Sequence, residues 1–250
     1  MLFNSIIYGP VHSRRLGVSL GVNLMPTGQK LCSFDCIYCE CGLNEPWHSR
    51  PPLPSVDDVR NALDAVSADG IDVITFSGNG EPTMHPYFEP IMRVVCDWRD
   101  GRYPAAKICV LSNSTQLNRP DVVRGLLMTD KRLLKLDSAI DATMRLIDQP
   151  ERKSLTVSDI MAGIRQFSGD FTLQTCFLRG TVNGQFIDNT TEAEVSAWLD
   201  AVKELKPKEV MIYVIDRKTP YDTLEKIAPA EMERIADRVS ALGIQVSVSA

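Results

Sequence analysis

Short apolar β-type runs alternate with amphipathic helical stripes from residue 18 to the end of this chain, and that alternation constrains the fold more than any other feature. Strand candidates fall at 18–24, 72–77, 106–112, 132–137, 170–178, 208–215 and 244–248. Between them, Ser55-Val56-Asp57-Asp58 reads as a helix N-cap, and further helical stripes cover 87–99, 120–128, 157–167, 191–205 and 229–242. Val195, Trp198, Leu199, Val202 and Leu205 make one core-facing stripe, and Met232, Ile235, Ala236, Val239 and Leu242 make another. Repeated units of this kind predict an α/β fold, a parallel sheet with helices outside and right-handed connections. Counting from 18–24 there are six strand-helix units and one unpartnered last strand, too few for a full eight-fold barrel. Ahead of them, Ser5–Tyr8 reads as a short β run, set off by Gly9-Pro10 and a basic turn. No linker or composition break divides the chain, so the expectation is one domain over 1–250: a β extension at 1–17, a core at 18–220, and a C-terminal helix and strand at 221–250.

The chemistry concentrates where the strand at 18–24 leads through Met25-Pro26-Thr27-Gly28 into Cys32-Ser33-Phe34-Asp35-Cys36-Ile37-Tyr38-Cys39. Its C-x3-C-x2-C spacing puts three thiols on one short loop, one ligand fewer than a closed tetrahedral site or a complete iron-sulfur cluster takes. An open metal position is usually where substrate or chemistry enters, and Tyr38 offers an aromatic face beside it. Cys41 adds a fourth thiol, so a structural zinc knuckle, in a non-catalytic zinc-binding adaptor, is the alternative from a different class. A disulfide framework does not suit seven cysteines in a chain that opens without a signal peptide and is long enough to bury a core. Cys96, Cys109 and Cys176 fall in predicted helix or strand positions and read as core packing.

The loop resembles the signature of radical S-adenosylmethionine (radical SAM) enzymes, with Tyr38 as the aromatic before the third cysteine. The resemblance implies a partial, open (βα)6 barrel, with Cys32, Cys36 and Cys39 each holding one iron of a [4Fe-4S] cluster. The fourth iron would be chelated by the amino and carboxylate groups of S-adenosylmethionine. Reductive cleavage of that cofactor would give a 5′-deoxyadenosyl radical, which abstracts a substrate hydrogen. The segment Ser77-Gly78-Asn79-Gly80-Glu81-Pro82 resembles the family's glycine-glycine-glutamate motif, with Asn79 where the first glycine would stand. Gly78, Asn79 and Gly80, through their backbones, and Glu81 would then receive the methionine ammonium.

Other strand ends carry groups suited to ribose or carboxylate recognition: Ser112-Asn113 after one strand, Asp137-Ser138 after the next, and Arg179 after 170–178, followed by a loop of about ten residues expected as a lid or binding segment. Turn capping is the structural reading of each Ser and Asn. Lys135 and Asp137 are two apart on one strand and so face the same way, which makes Lys135 a candidate for a buried ion pair or for substrate contact.

The formal charge of −5 disfavours a large polyphosphate partner, although Arg14-Arg15, Lys131-Arg132 and Arg217-Lys218 are local basic clusters. No apolar run reaches membrane-spanning length, and the protein is expected to be cytoplasmic, where thiols stay reduced. The resemblance also implies an electron donor such as flavodoxin or ferredoxin and a small-molecule, peptide or RNA substrate. Upstream, Tyr8-Gly9-Pro10-Val11 and Ser13-Arg14-Arg15-Leu16-Gly17 resemble the subgroup that includes wyosine-forming tRNA enzymes, which typically carry a second cluster on upstream cysteines; no cysteine precedes Cys32 here. Enzymes that install a glycyl radical on a partner protein share the short length and the spacing.

Overall fold

A computed structural model describes residues 2–13, 17–46, 52–68 and 70–249; the basic turn at Arg14–Arg15 and His48 lie outside the described residues. The chain forms two compact units, one of Met1–Ser33, Asn44–Ser112 and Gln116–Arg132, the other of Phe34–Leu43, Asn113–Thr115 and Leu133–Ala250.

In the first unit β1 (Ile7–Ser13) runs antiparallel to β2 (Gly17–Val22), and β2, β3 (Val73–Phe76) and β4 (Lys107–Ser112) follow side by side in parallel. The expected break at Gly9-Pro10 is instead an irregularity within β1, where the register shifts between Tyr8 and Val11. Parallel strands need long return connections, and α1 (Val56–Asp64) and α2 (Phe88–Arg102) provide them. The α1 start behaves as its sequence indicates: Ser55 accepts from the Asp58 amide and the Asp58 carboxylate accepts from the Ser55 amide, a capping box. All four β3 residues are buried, and α3 (Pro120–Leu127) follows β4.

The second unit is built on β5 (Lys131–Lys135), which pairs with β6 in parallel through Leu133–Lys135. Next come α4 (Asp141–Asp148), α5 (Val157–Ile164), β6 (Thr172–Val182), β7 (Gln185–Asp188) and α6 (Glu192–Leu205). They are followed by β8 (Glu209–Val214), β9 (Leu224–Lys226), α7 (Pro229–Ser240) and β10 (Gln245–Ser249). Strands β5, β6, β8 and β10 lie in that spatial order, all parallel.

Two expectations need correction here. The segment after β6 is not a lid loop: β6 continues to Val182 and turns through Asn183-Gly184, both at positive φ (51° and 79°), into antiparallel β7. Asn-Gly between extended runs is a two-residue hairpin turn, a signal present in the sequence. The helix α4 was also absent from the pattern, because over eight residues only Met144, Ile147 and Asp148 are buried. Its C-terminal carbonyls lack intrahelical donors, and the cysteine loop supplies two: Asp35 N–H donates to Asp148 O (2.8 Å) and Ile37 N–H to Ile147 O (2.9 Å). Ile37 then packs with Ile147, Cys176, Leu178, Val182 and Ile187 in a buried cluster, so the loop from 34 onward is anchored by backbone and core together.

Candidate functional site

The Gly78–Glu81 turn of the first unit is set by close approach of backbone to backbone. Leu31 bridges Gly80 as in a parallel ladder, donating to Asn79 O (2.8 Å) while Leu31 O accepts from Glu81 N–H (3.3 Å). Gly80 sits at φ 146°, and a Cβ there would fall 1.8 Å from Leu31 O; at Gly78, φ 131°, it would meet Asn23 Oδ1 at 2.5 Å. Both positions therefore exclude a side chain, for contact with the chain itself. Asn79, the departure from the two-glycine pattern, is fully buried and works as a clamp: its Oδ1 accepts from Phe3 N–H, and its Nδ2 donates to Phe3 O and Pro26 O, each at 2.8 Å. Glu81 is 2% exposed, and its Oε1 accepts from Thr83 N–H (3.0 Å), Thr83 Oγ1 (2.5 Å) and Ser112 Oγ (2.9 Å). It thereby caps the short 3-10 helix Pro82–Met84, and Ser112 acts as its hydrogen-bond donor. In the same unit Asn44 brackets Cys32, accepting from its N–H (3.2 Å) and donating to its carbonyl (3.1 Å). Nothing in the spacing of the cysteines singles out that asparagine.

In the second unit, Cys39 N–H donates to Cys36 O and Gly42 N–H to Cys39 O, both at 3.0 Å, so the loop winds in successive tight turns past its thiols. Lys135 Nζ stands 2.9 Å from Cys36 Sγ, 2.5 Å from Asp148 Oδ1 and 3.0 Å from Asp137 Oδ2. The ammonium donates to the Cys36 sulfur and to Asp148, and Asp137 pairs with it as a second carboxylate. The same nitrogen lies 5.1 Å from the centre of the Phe34 ring and 5.0 Å from that of Tyr38. Side-chain exposure is 10% for Lys135, 0% for Asp137 and 2% for Asp148, so these charges meet with little water between them. Burial alone would pull the Lys135 ammonium down, but Asp137, then Asp148 and Cys36, hold it well above the ordinary lysine value. Burial pushes Asp148 up to about 7 against the pull of Lys135. Tyr38 donates to Asp137 Oδ2 (2.5 Å), and burial followed by Asp137 raises its hydroxyl well above the usual tyrosine value.

The remaining expected residues are engaged locally. Asp137 Oδ1 accepts from Cys176 N–H (2.9 Å), so both its oxygens are in use. Asn113 Oδ1 accepts from Thr115 N–H (3.1 Å) and Oγ1 (2.8 Å), a turn cap. Ser138 Oγ accepts from Ile140 N–H (2.9 Å) and donates to Glu194 Oε2 (2.7 Å). Arg179 binds Glu231, Thr190 and Asp188. Two residues that sequence reasoning passed over complete the second unit's polar core: Tyr213, 3.4 Å from the Tyr38 hydroxyl, and buried Asn189, which donates to Asp137 O and Cys176 O.

The donor set suits an iron-sulfur cluster. None of the cysteines is in a disulfide, and those at 32, 36, 39 and 41 are all partly exposed. An ammonium against Cys36 favours the thiolate that an iron ligand must be. Among the described residues no three Cys, His, Asp or Glu side chains close around a single metal ion. A cluster does not need that, because each thiolate takes a different iron.

The model of the radical SAM superfamily matches residues 28–168. The chain is 29% identical over 238 residues to a Brachyspira hyodysenteriae protein named GTPase Obg, covering 91% of this chain and 32% of that protein. It is 31% identical over 221 residues to a UPF0026 protein of Synechocystis, covering 86% of this chain and 77% of that one. Among solved structures, Streptococcus suis SuiB bound to S-adenosylmethionine superposes with a TM-score of 0.64 at 13% identity, covering 91% of this chain and 50% of SuiB. A radical SAM methyltransferase from Sphaerobacter thermophilus gives 0.63 at 17% identity, covering 92% and 65%. This chain thus spans about a third of the first relative and half of SuiB. The structural likenesses show an open, mostly parallel α/β fold.

Proposed function

This chain belongs to the radical SAM superfamily, enzymes that use a [4Fe-4S] cluster and S-adenosylmethionine, and from that premise we propose that it reductively cleaves S-adenosylmethionine and takes a hydrogen atom from its substrate. The carrying observation is the C-x3-C-x2-C loop, which offers three thiols and leaves one iron to another ligand. When bound, cluster and cofactor supply a one-electron cleavage of the sulfonium that generates the 5′-deoxyadenosyl radical.

Cys32, Cys36 and Cys39 are assigned to the cluster. Asn44 orients the first through its backbone, and the turn between Cys36 and Cys39 orients the other two. At the Gly78–Glu81 turn the ladder to Leu31 uses the Asn79 carbonyl and the Glu81 amide. In such a ladder the N–H and C=O of Gly80 itself face the other way, and we assign the carbonyl, an acceptor, to the methionine ammonium. Glu81 and Ser112 support that turn from inside. Asp137, with both oxygens taken, is assigned to bracing Tyr38 and Lys135, and Ser138 and Arg179, held by Glu194 and by Glu231, Thr190 and Asp188, to the frame around it; Asn113 is the polar side chain proposed to meet ribose. The electron is proposed to come from a small redox protein of the flavodoxin or ferredoxin kind. Among the described residues no helix is long and apolar enough to cross a membrane.

The test is anaerobic reconstitution followed by incubation with S-adenosylmethionine and a strong one-electron reductant. Slow formation of 5′-deoxyadenosine and methionine is expected, with none from Cys36→Ala. S-adenosylhomocysteine as the product would mean methyl transfer instead, and a reducible cluster with bound cofactor and no cleavage would overturn the reading.

A further inference from the structure

Lys135 is held from three sides in the second unit. Each acceptor around its ammonium is 3.0 Å away or less, two are buried carboxylates, and the third is the sulfur of Cys36. Asp137 is itself fixed by Cys176 N–H and the Tyr38 hydroxyl, so the lysine is aimed by a rigid frame. The backbone anchors of the loop, Asp35 to Asp148 and Ile37 to Ile147, bring Cys36 to the same α4 terminus that carries the Asp148 carboxylate. A buried charge held this way costs stability unless it is fully paired, and here one of its partners is a thiol proposed to become an iron ligand.

We infer that Lys135 sets the reduction potential of the cluster, donating an N–H hydrogen bond to the Cys36 sulfur and placing a positive charge beside it. The inference rests on Cys36 being a cluster ligand. Hydrogen bonds to cluster sulfurs and nearby charge are established levers on iron-sulfur potentials, since both favour the more negative, reduced state. The step concerned is uptake of one electron by the oxidised cluster from an external donor, with no bond made or broken. Lys135 is thus a positioning and tuning residue, acting through the sulfur.

The experiment is a redox titration of the reconstituted holoprotein with dithionite, followed by the electron paramagnetic resonance signal of the reduced cluster. Iron content and far-ultraviolet circular dichroism are measured on each sample. Three variants separate charge from fold. With the titration run at pH 9, above the Asp148 value of about 7, Lys135→Met removes the donor and one positive charge, Asp148→Asn removes one negative charge, and the double variant keeps the net charge while losing the N–H···S bond. The expected order of potentials is Asp148→Asn above wild type, wild type above the double variant, and Lys135→Met lowest. The double variant should show at least a tenfold lower ratio of reduced to oxidised cluster at the wild-type midpoint, about 59 mV for one electron. Lys135→Arg, which keeps charge and donors, should stay near wild type. Should Lys135→Met fail to fold, the Asp148→Asn and double variants still decide the matter through their opposite shifts. Unchanged potentials in folded, iron-loaded variants overturn the inference, and so does loss of iron from a folded double variant, which would make Lys135 merely structural. Full iron content and an unchanged signal in Cys36→Ala would instead sink the cluster assignment itself, a separate outcome.

Discussion

In the Gly78–Glu81 turn, backbone meets backbone, and the position of Gly80 is fixed because nothing larger than hydrogen fits against Leu31. Around Lys135 the packing leaves room for side chains, and the arrangement is fixed because two carboxylates and a thiol converge on one ammonium. The first is specified by shape and the second by charge, and the difference decides what each tolerates. A steric constraint admits no partner change that restores it, since the obstacle is main chain. An electrostatic one can be rewritten in compensating pairs.

The largest effect is therefore expected at Gly80. Gly80→Ala forces a Cβ into the Leu31 carbonyl at a positive φ and should cost about 5 kcal/mol or more, measured by urea unfolding of the reduced apoprotein. A loss under about 1 kcal/mol would show that the turn yields and that shape does not govern it. Lys135→Met should cost about 3–5 kcal/mol, because it takes the ammonium away from the buried Asp137 and Asp148 side chains. Adding Asp148→Asn should recover more than half of that loss, and absence of recovery would break the distinction between the two regions.

A comparable effect, spread over about three pH units, concerns pH. The folded value of Asp148, about 7, lies above its ordinary 3.8, so between them the folded chain holds a proton that the unfolded chain has released. Its contribution is fully present below about pH 4 and is lost as pH rises to about 7, with a slope of up to about 1.4 kcal/mol per pH unit. Comparing the apoprotein with Asp148→Asn across that window should show the slope only in the parent. The smallest effect is expected from Asn79→Gly, which restores the family's two-glycine pattern but removes the bonds to Phe3 and Pro26. About 1–2 kcal/mol and faster amide exchange at Phe3 are expected. Unaltered exchange there would mean that Asn79 does not hold the N-terminal segment.

Much of the architecture was legible in advance, because the parallel strands β2 to β4 and the late helices announce themselves through local periodicity. The Ser55 cap, and the pairing of Lys135 with Asp137 two residues on, follow from the same short-range rules. The Asn183-Gly184 hairpin was equally local, and an extended search for turn pairs would have found it. Asn79 shows the limit: from sequence it is a departure from a glycine motif, and only the fold supplies Phe3 and Pro26 as the reason for its amide.

By itself, then, the sequence determined the α/β class, the thiol spacing that marks the superfamily, and the glycines that a tight turn demands. All are properties of neighbouring residues, carried by periodicity, capping and φ. Only the tertiary structure decided that Asp148, at the end of a helix too short to announce itself, closes the box around Lys135. It likewise decided that Asp137 turns its oxygens inward and that Leu31 is what Gly80 makes room for. Those partners lie 13 and 39 residues apart for Lys135–Asp148 and Asp137–Cys176, and no local pattern encodes them. Long-range pairing of buried polar groups is settled by which surfaces the packed core brings face to face.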